Sequence, residues 1–255
     1  MTGISQLSRP AVFAHRGASA HAPENTLAAF LLAIEQGADG IELDTKLTRD
    51  GYPVVIHDQT LMRTTGTAGR VGELRLGELR RLDAGSHYDI AYRGELIPTL
   101  DEVFATVGHR TLLNVELTNY ASPTDSLPEK VAGLVERHGL AARVIFSSFN
   151  PLALVRVRRC LPQVPVGLLA LPGWPGAWAR SWIGRLLHYD ALHPALVDVS
   201  PAMVEKVHRH GERINVYTVN QAQEMRRLAQ WGVDGLITDD PLLALRVLSV
   251  ASRFG

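Results

Sequence analysis

The chain has 255 residues, 46% of them hydrophobic and 20% charged, which is material for a sizeable buried core and unlike the composition of a disordered chain. Lys+Arg and Asp+Glu both number 26, so the formal charge is zero and no net basic field draws the protein onto nucleic acid. A single cysteine, Cys160, excludes an internal disulfide, MTGISQLSRP carries no leader pattern, and arginines break runs such as ALVRVRRCL well short of the ~20 residues of a membrane span; the reading is a reduced, cytoplasmic protein.

In chain order, a first strand is predicted at Val12–His15. A helix over Glu24–Gln36 follows, with apolar residues three and four apart, and then a strand at Gly40–Asp44. A helix at Asp101–Val107 precedes the next strand, Leu112–Leu117. Strands at Val144–Ser148, Val166–Ala170, Ala191–His193, Ile214–Val219 and Gly235–Thr238 complete a set of eight, with helices at Pro201–His210 and Gln221–Trp231 among the connections. Several strands are apolar almost throughout and end in polar residues (VFAHR, GIELD, LLNVELT, VIFSSF, GLITDD), the pattern of buried parallel strands. Eight βα units in this length predict an α/β fold, a (β/α)8 TIM barrel whose catalytic groups gather at the C-terminal ends of the strands. A doubly wound sheet is the competing architecture, and the strand count argues for closure.

The long interval between the second and third barrel strands predicts one domain over 1–255 with an insertion subdomain at about 45–98, placed over the barrel mouth. The insertion opens with TKLTRDGYPVVIHD, which reads as a hairpin turning at Asp50-Gly51. That register pairs Arg49 with Tyr52 and Leu47 with Val54, and sets Asp44 opposite His57. Glu42 and Asp44, two apart on one strand, share a face, and Glu116 ends the adjacent strand. Three oxygen donors without a cysteine suit a hard cation, Mg²⁺ or Ca²⁺, and would repel one another without it. Taken singly, each reads better as a solvated or ion-paired carboxylate; three together at inward strand ends do not.

His15-Arg16-Gly17 ends the first strand. The Arg16 guanidinium offers a fork of donors for phosphate oxygens, and His15 with His57 makes a proton-transferring pair. The competing account has His15 hydrogen-bonded in the core and Arg16 steadying a carboxylate. His193, at another strand end, stays ambiguous.

The segments AHRGASAHAPENTLAAF, GADGIELDTKLTRDGYPVVIHD, LNVELT, SSFN, LHP, VYTVN and GVDGLITDDP resemble the glycerophosphodiester phosphodiesterase family over nearly the whole chain. The resemblance implies a barrel with a small insertion after the second strand. It implies a divalent metal on Glu42, Asp44 and Glu116, His15 and His57 as the acid–base pair, and Arg16 on the phosphate. The implied reaction cleaves a small-molecule glycerophosphodiester to sn-glycerol 3-phosphate and an alcohol. The substrate's glycerol 2-hydroxyl attacks phosphorus, and water then opens the cyclic phosphate.

Two positions depart from the common family pattern: Thr118 stands where a lysine is frequent, and Tyr217 where a tryptophan is, keeping an aromatic wall to the substrate site. Lys46, two residues after Asp44, projects from the same face and is a candidate for the missing phosphate contact, against solvent exposure as the ordinary expectation for lysine. Trp174, Trp178 and Trp182, four apart, read as core packing of a helix, or else as an aromatic face for peripheral lipid contact and lysophospholipase D chemistry. A barrel that binds phosphodiesters without cleaving them is the reading from another class.

Overall fold

Runs that are apolar on both faces become strands only where a sheet is covered on both sides, and a closed barrel with an outer layer of helices supplies that environment. A computed structural model describes residues 10–251. The strands are β1 (Ala11–His15), β2 (Gly40–Leu47), β3 (Pro53–Val55), β4 (Leu112–Leu117), β5 (Val144–Ser148), β6 (Val166–Ala170), β7 (Ala191–Pro194), β8 (Arg213–Val216) and β9 (Gly235–Thr238). All but β3 run parallel in the order β1-β9-β8-β7-β6-β5-β4-β2, and β1 pairs with β2 to close the eight-stranded (β/α)8 barrel that the sequence predicts.

The main apolar core lies between strands and helices, while Ala11, Phe13 and Ile237 fill the barrel interior below the site. Asn150 and Ser200 each cap a helix with a side-chain oxygen and are followed by proline at the first helical position, where its missing N–H goes unused. The first helix, Leu27–Glu35, starts later than its apolar pattern indicates. Asn25 has φ +57° and the Thr26 hydroxyl is the cap, accepting from Ala29 N at 3.2 Å, so Glu24 and Asn25 stand in a turn beside the barrel mouth.

Between β2 and β4 the chain forms β3 and several one-turn helices over its own apolar cluster, which includes Val54, Ile56, Leu61, Val71 and Leu79. The β2–β3 hairpin is shifted by one residue from the predicted register. Thr48 N donates to Tyr52 O at 3.0 Å, Leu47 faces Pro53, and Lys46 faces Val54. The loop is Arg49–Gly51, closed by Gly51 N on Thr48 O at 2.9 Å, with Gly51 at φ +81° as the extra left-handed residue. Thr48 sets this length: its hydroxyl accepts from Tyr52 N at 2.9 Å and donates to Asp50 Oδ1 at 2.7 Å. Asp44 therefore lies opposite Ile56, whose N–H donates to Asp44 O at 3.0 Å, and the predicted Arg49–Tyr52, Leu47–Val54 and Asp44–His57 pairings do not form.

The tryptophans also depart from expectation. Trp178 packs on the core, but Trp174 is 93% exposed and Trp182 70% exposed. Trp174–Gly176 is a 3-10 turn and Trp182–Arg185 a separate one-turn helix, so no continuous helix aligns the three rings. Among the described residues no helix is long and apolar enough to cross a membrane, and Cys160 is exposed and unpaired.

Candidate active site

β1, β2 and β4 lie side by side, and their register sets His15 level with Glu42, Glu42 with Asn114, and Asp44 with Glu116. Level residues in a parallel sheet point to one side, here into the barrel mouth. Glu42, Asp44 and Glu116 each bring a carboxylate oxygen to within 4.8 Å of the others. Burial, and then Asp44 and Glu116, hold Glu42 well above the usual carboxylate range; burial and Asp44 push Glu116 up to about 8. The Tyr120 hydroxyl donates to Glu116, and Asn25 Nδ2 donates to Asp44 Oδ2 at 2.9 Å. Asn114 Oδ1, buried in the same pocket, has no partner. Three crowded carboxylates, two of them raised by burial and by one another, beside an orphaned amide oxygen form an all-oxygen donor set that fits a hard divalent cation.

At the end of β1 the backbone turns through Arg16 at φ +57° and Gly17 at φ +83°; a Cβ on Gly17 would lie 2.7 Å from the Ala29 carbonyl carbon, so only glycine fits. This turn leaves His15 Nδ1 2.6 Å from Asp239 Oδ1. Burial alone would raise Asp239, but His15, Asn220 and Ser19 hold it below its usual range. An ionised carboxylate only accepts, so His15 Nδ1 carries the proton and Nε2, 4.0 Å from Glu42 Oε2, looks toward the acidic cluster.

His57 comes from the insertion side. Its Nδ1 lies 2.7 Å from Asp58 Oδ1, and Arg63 Nε donates to Asp58 Oδ2 at 2.6 Å. The Arg63 hydrogen bond, with His57, pushes Asp58 down to about 2, so the same tautomer follows. Both histidines line one cavity of about 210 Å³ with Arg16, the three carboxylates and a wall of Tyr120, Phe149 and Tyr217. Although the register differs from the predicted one, Asp44 and His57 share this pocket.

Arg16 faces two ways. Its Nη1 donates to Glu24 at 3.0 Å and its Nε stands 3.4 Å from Asp44, while its backbone N–H donates to Glu42 at 3.1 Å. Burial alone would lower its pKa, but Asp44, Glu24 and Glu42 hold it above the ordinary value. The Tyr217 hydroxyl donates to Ala170 O at 2.7 Å and its ring makes a T-shaped contact with Phe149, so the hydroxyl is engaged by the backbone while the residue lines the pocket. Lys46 leans neither into solvent nor into this pocket: it is 7% exposed, with Nζ on Thr118 Oγ1 at 2.7 Å. His193 is buried in the barrel and burial pushes it down to about 3, so it is a neutral interior group.

The residues that sequence reasoning missed are the partners: Glu24, Asn25, Asp58, Arg63, Asn114, Tyr120, Phe149 and Asp239. Glu24 and Asn25 lie in PENT and Asp239 in TDD, segments quoted for the resemblance, yet polar turn residues give no sign of which side chain they will meet. Only the folded chain brings Asp239 to His15.

An eight-stranded barrel with an acidic oxygen site and two carboxylate-bound imidazoles at its mouth has the groups for metal-assisted acid–base chemistry. Comparison with known proteins narrows this. Residues 15–243 match the Glycerophosphoryl diester phosphodiesterase family. A glycerophosphodiester phosphodiesterase of Caldanaerobacter subterraneus subsp. tengcongensis is 42% identical over 231 residues, 90% of this chain and 94% of that protein. The structure of an Oleispira antarctica phosphodiesterase in complex with the product sn-glycerol-3-phosphate superposes with a TM-score of 0.85 at 31% identity, covering 94% of this chain and 97% of the other. A glycerophosphodiester phosphodiesterase from Agrobacterium tumefaciens gives a TM-score of 0.80 at 32% identity over 92% and 99% of the two chains. The chain belongs to the glycerophosphoryl diester phosphodiesterase family and is a phosphoric diester hydrolase.

Proposed function

We propose that the protein hydrolyses water-soluble glycerophosphodiesters to sn-glycerol 3-phosphate and an alcohol in the cytoplasm, in a divalent-metal-dependent reaction that uses His15 and His57 as the proton-transfer pair. The observation that carries this reading is the matched pair of His–Asp contacts, 2.6 Å for His15–Asp239 and 2.7 Å for His57–Asp58, each leaving Nε2 for one shared pocket. One imidazole takes the proton of the glycerol 2-hydroxyl as its oxygen attacks phosphorus; the other gives a proton to the departing alcohol oxygen. Water then adds to the cyclic phosphate as the two rings exchange roles. Each step contributes roughly 10²–10⁴-fold. A Mg²⁺ or Ca²⁺ ion on Glu42, Asp44 and Glu116 would lower the pKa of the attacking hydroxyl and offset phosphoryl charge. Arg16 offers its remaining donors to a phosphate oxygen, and Tyr217 borders the glycerol.

The test is release of sn-glycerol 3-phosphate from glycerophosphocholine, glycerophosphoethanolamine and glycerophosphoserine with Mg²⁺, with Ca²⁺ and with EDTA. Release that needs the metal is expected; none from any substrate, or full release in EDTA, overturns the reading. A second reading, lysophospholipid cleavage with peripheral lipid contact, is favoured by the exposed Trp174, Trp182, Ile183 and Leu186 after β6. It predicts that Trp174→Ser and Trp182→Ser slow turnover of lysophosphatidylcholine more than that of glycerophosphocholine.

A further inference from the structure

Lys46 lies two residues beyond Asp44 on β2, and Thr118 two beyond Glu116, whose strands are in register; the pair therefore sits one step nearer the barrel rim. Lys46 Nζ donates to Thr118 Oγ1 at 2.7 Å and to Thr118 O at 3.4 Å, and the Thr118 hydroxyl donates onward to Thr45 O at 2.6 Å. Both partners are neutral. No ion pair among the described residues includes this ammonium, although the side chain is withdrawn from water. Asp44, Glu116 and Asp58 support its charge from beyond ion-pair distance, its hydrogen bonds go only to neutral oxygens, and one of its three donors is still free.

A cavity of about 190 Å³ opens over it, roofed by the 3-10 turn Val71–Glu73 of the insertion and walled by Gln59, Arg70 and Asn119. The two carboxylates that line this cavity do not pair with Lys46. Asp125 Oδ1 is taken by Asn119 Nδ2 and Leu127 N, both at 3.0 Å, and the Glu73 carboxylate stands at the exposed rim, 4.0 Å from Arg70 Nε. This cavity and the catalytic pocket share no lining residue. The 118–122 segment borders both, Tyr120 lining the catalytic pocket and Asn119 and Ala121 the Lys46 cavity. Two residues along a strand advance about 6.6 Å, the reach of a short carbon linker from a phosphoryl group to a second acidic group.

The geometry points to an anion subsite: the Lys46 cavity takes a carboxylate or phosphate carried by the leaving alcohol, and so favours glycerophosphodiesters with acidic headgroups. This rests on the proposed hydrolysis and adds a selectivity to it. The reaction supplying such substrates would be deacylation of an acidic glycerophospholipid.

The experiment compares kcat/KM for glycerophosphoserine and glycerophosphocholine in the wild type, Lys46→Met, Lys46→Arg and Thr118→Val, each checked by its melting curve. The wild type is expected to prefer the serine ester. Lys46→Met should cut that ratio about tenfold, the effect of one charge-assisted hydrogen bond, whereas Lys46→Arg and Thr118→Val keep most of it. Equal losses on both esters would assign Lys46 to the reacting phosphate and overturn the subsite, as would a wild type indifferent to headgroup. If neither ester is cleaved, the hydrolysis reading fails instead. Calorimetric binding of glycerophosphoserine against glycerophosphocholine to wild type and Lys46→Met then decides the subsite: a preference lost in the variant supports it, and equal binding overturns it.

Discussion

His15 and Asp239 are 224 residues apart in the chain, yet His15 Nδ1 lies 2.6 Å from Asp239 Oδ1. The contact closes the barrel chemically where β1 meets β9, and it decides which ring nitrogen faces the acidic cluster. Asp58 does the same for His57 from the adjacent residue. Asp239→Asn keeps the size of the side chain but lets its amide donate to the ring, favouring the wrong tautomer. A fall in kcat of roughly 10²-fold or more, with KM little changed, is expected for Asp239→Asn. His15→Ala and His57→Ala should lose at least as much while the protein still folds. Full activity in Asp239→Asn would remove the tautomer argument.

Arg63 ties the two sides of the mouth together. Its guanidinium donates to Asp58 at 2.6 Å and to both oxygens of Glu24 at 2.6 and 2.8 Å, and Glu24 in turn accepts from Arg16. Arg63→Gln frees both carboxylates, so His57 and Arg16 each lose a fixed partner. A kcat lowered about tenfold or more, partly restored in Arg63→Lys, is expected. Purely structural damage would show as a lower melting temperature with kcat intact.

Metal binding should displace a proton. Burial and Asp44 raise Glu116 from its ordinary 4.5 to about 8, so the metal-free native state holds a proton that the unfolded chain has released between those values. Metal-free stability should therefore fall as pH rises through that window. Mg²⁺ or Ca²⁺ should bind with proton release near pH 7, seen as a dependence of the calorimetric heat on buffer ionisation. At a hundredfold excess over Kd the ion adds about 2.7 kcal/mol, or roughly 5–10 °C in Tm. Heats independent of buffer, or no shift in Tm, would count against the site.

His193 gives an acid limit of opposite sign. Buried and neutral, it is pushed from 6.5 to about 3, so the unfolded state takes up a proton that the native state refuses. Stability contributed by this group is present above pH 6.5 and is lost as pH falls toward 3, about 2 kcal/mol of it by pH 5. Urea unfolding of wild type and His193→Gln between pH 7 and 5 should show a shallower loss in the variant. Parallel curves would show that His193 does not control the acid limb.

What the sequence determined by itself was whatever local pattern and strand period dictate. Apolar runs ending in polar residues specified eight parallel strands, and spacing by two set Glu42 and Asp44 on one face. The barrel then carried Glu116, His15 and Arg16 to the same mouth, because closure aligns all strand ends. The tertiary structure decided what depends on a hydrogen bond between distant groups or on one residue of register. Thr48, by bonding Asp50 and Tyr52, chose a three-residue loop over the two-residue turn and moved Asp44 from His57 to Ile56. The tryptophan spacing fell into two separate one-turn elements, Trp174–Gly176 and Trp182–Arg185, which left Trp174 and Trp182 in water. Lys46 became a buried cation because Thr118, 72 residues away, offered an oxygen at 2.7 Å. A residue's type and period fix the face it occupies; its partner, tautomer and charge depend on groups brought close only when the ring of strands closes.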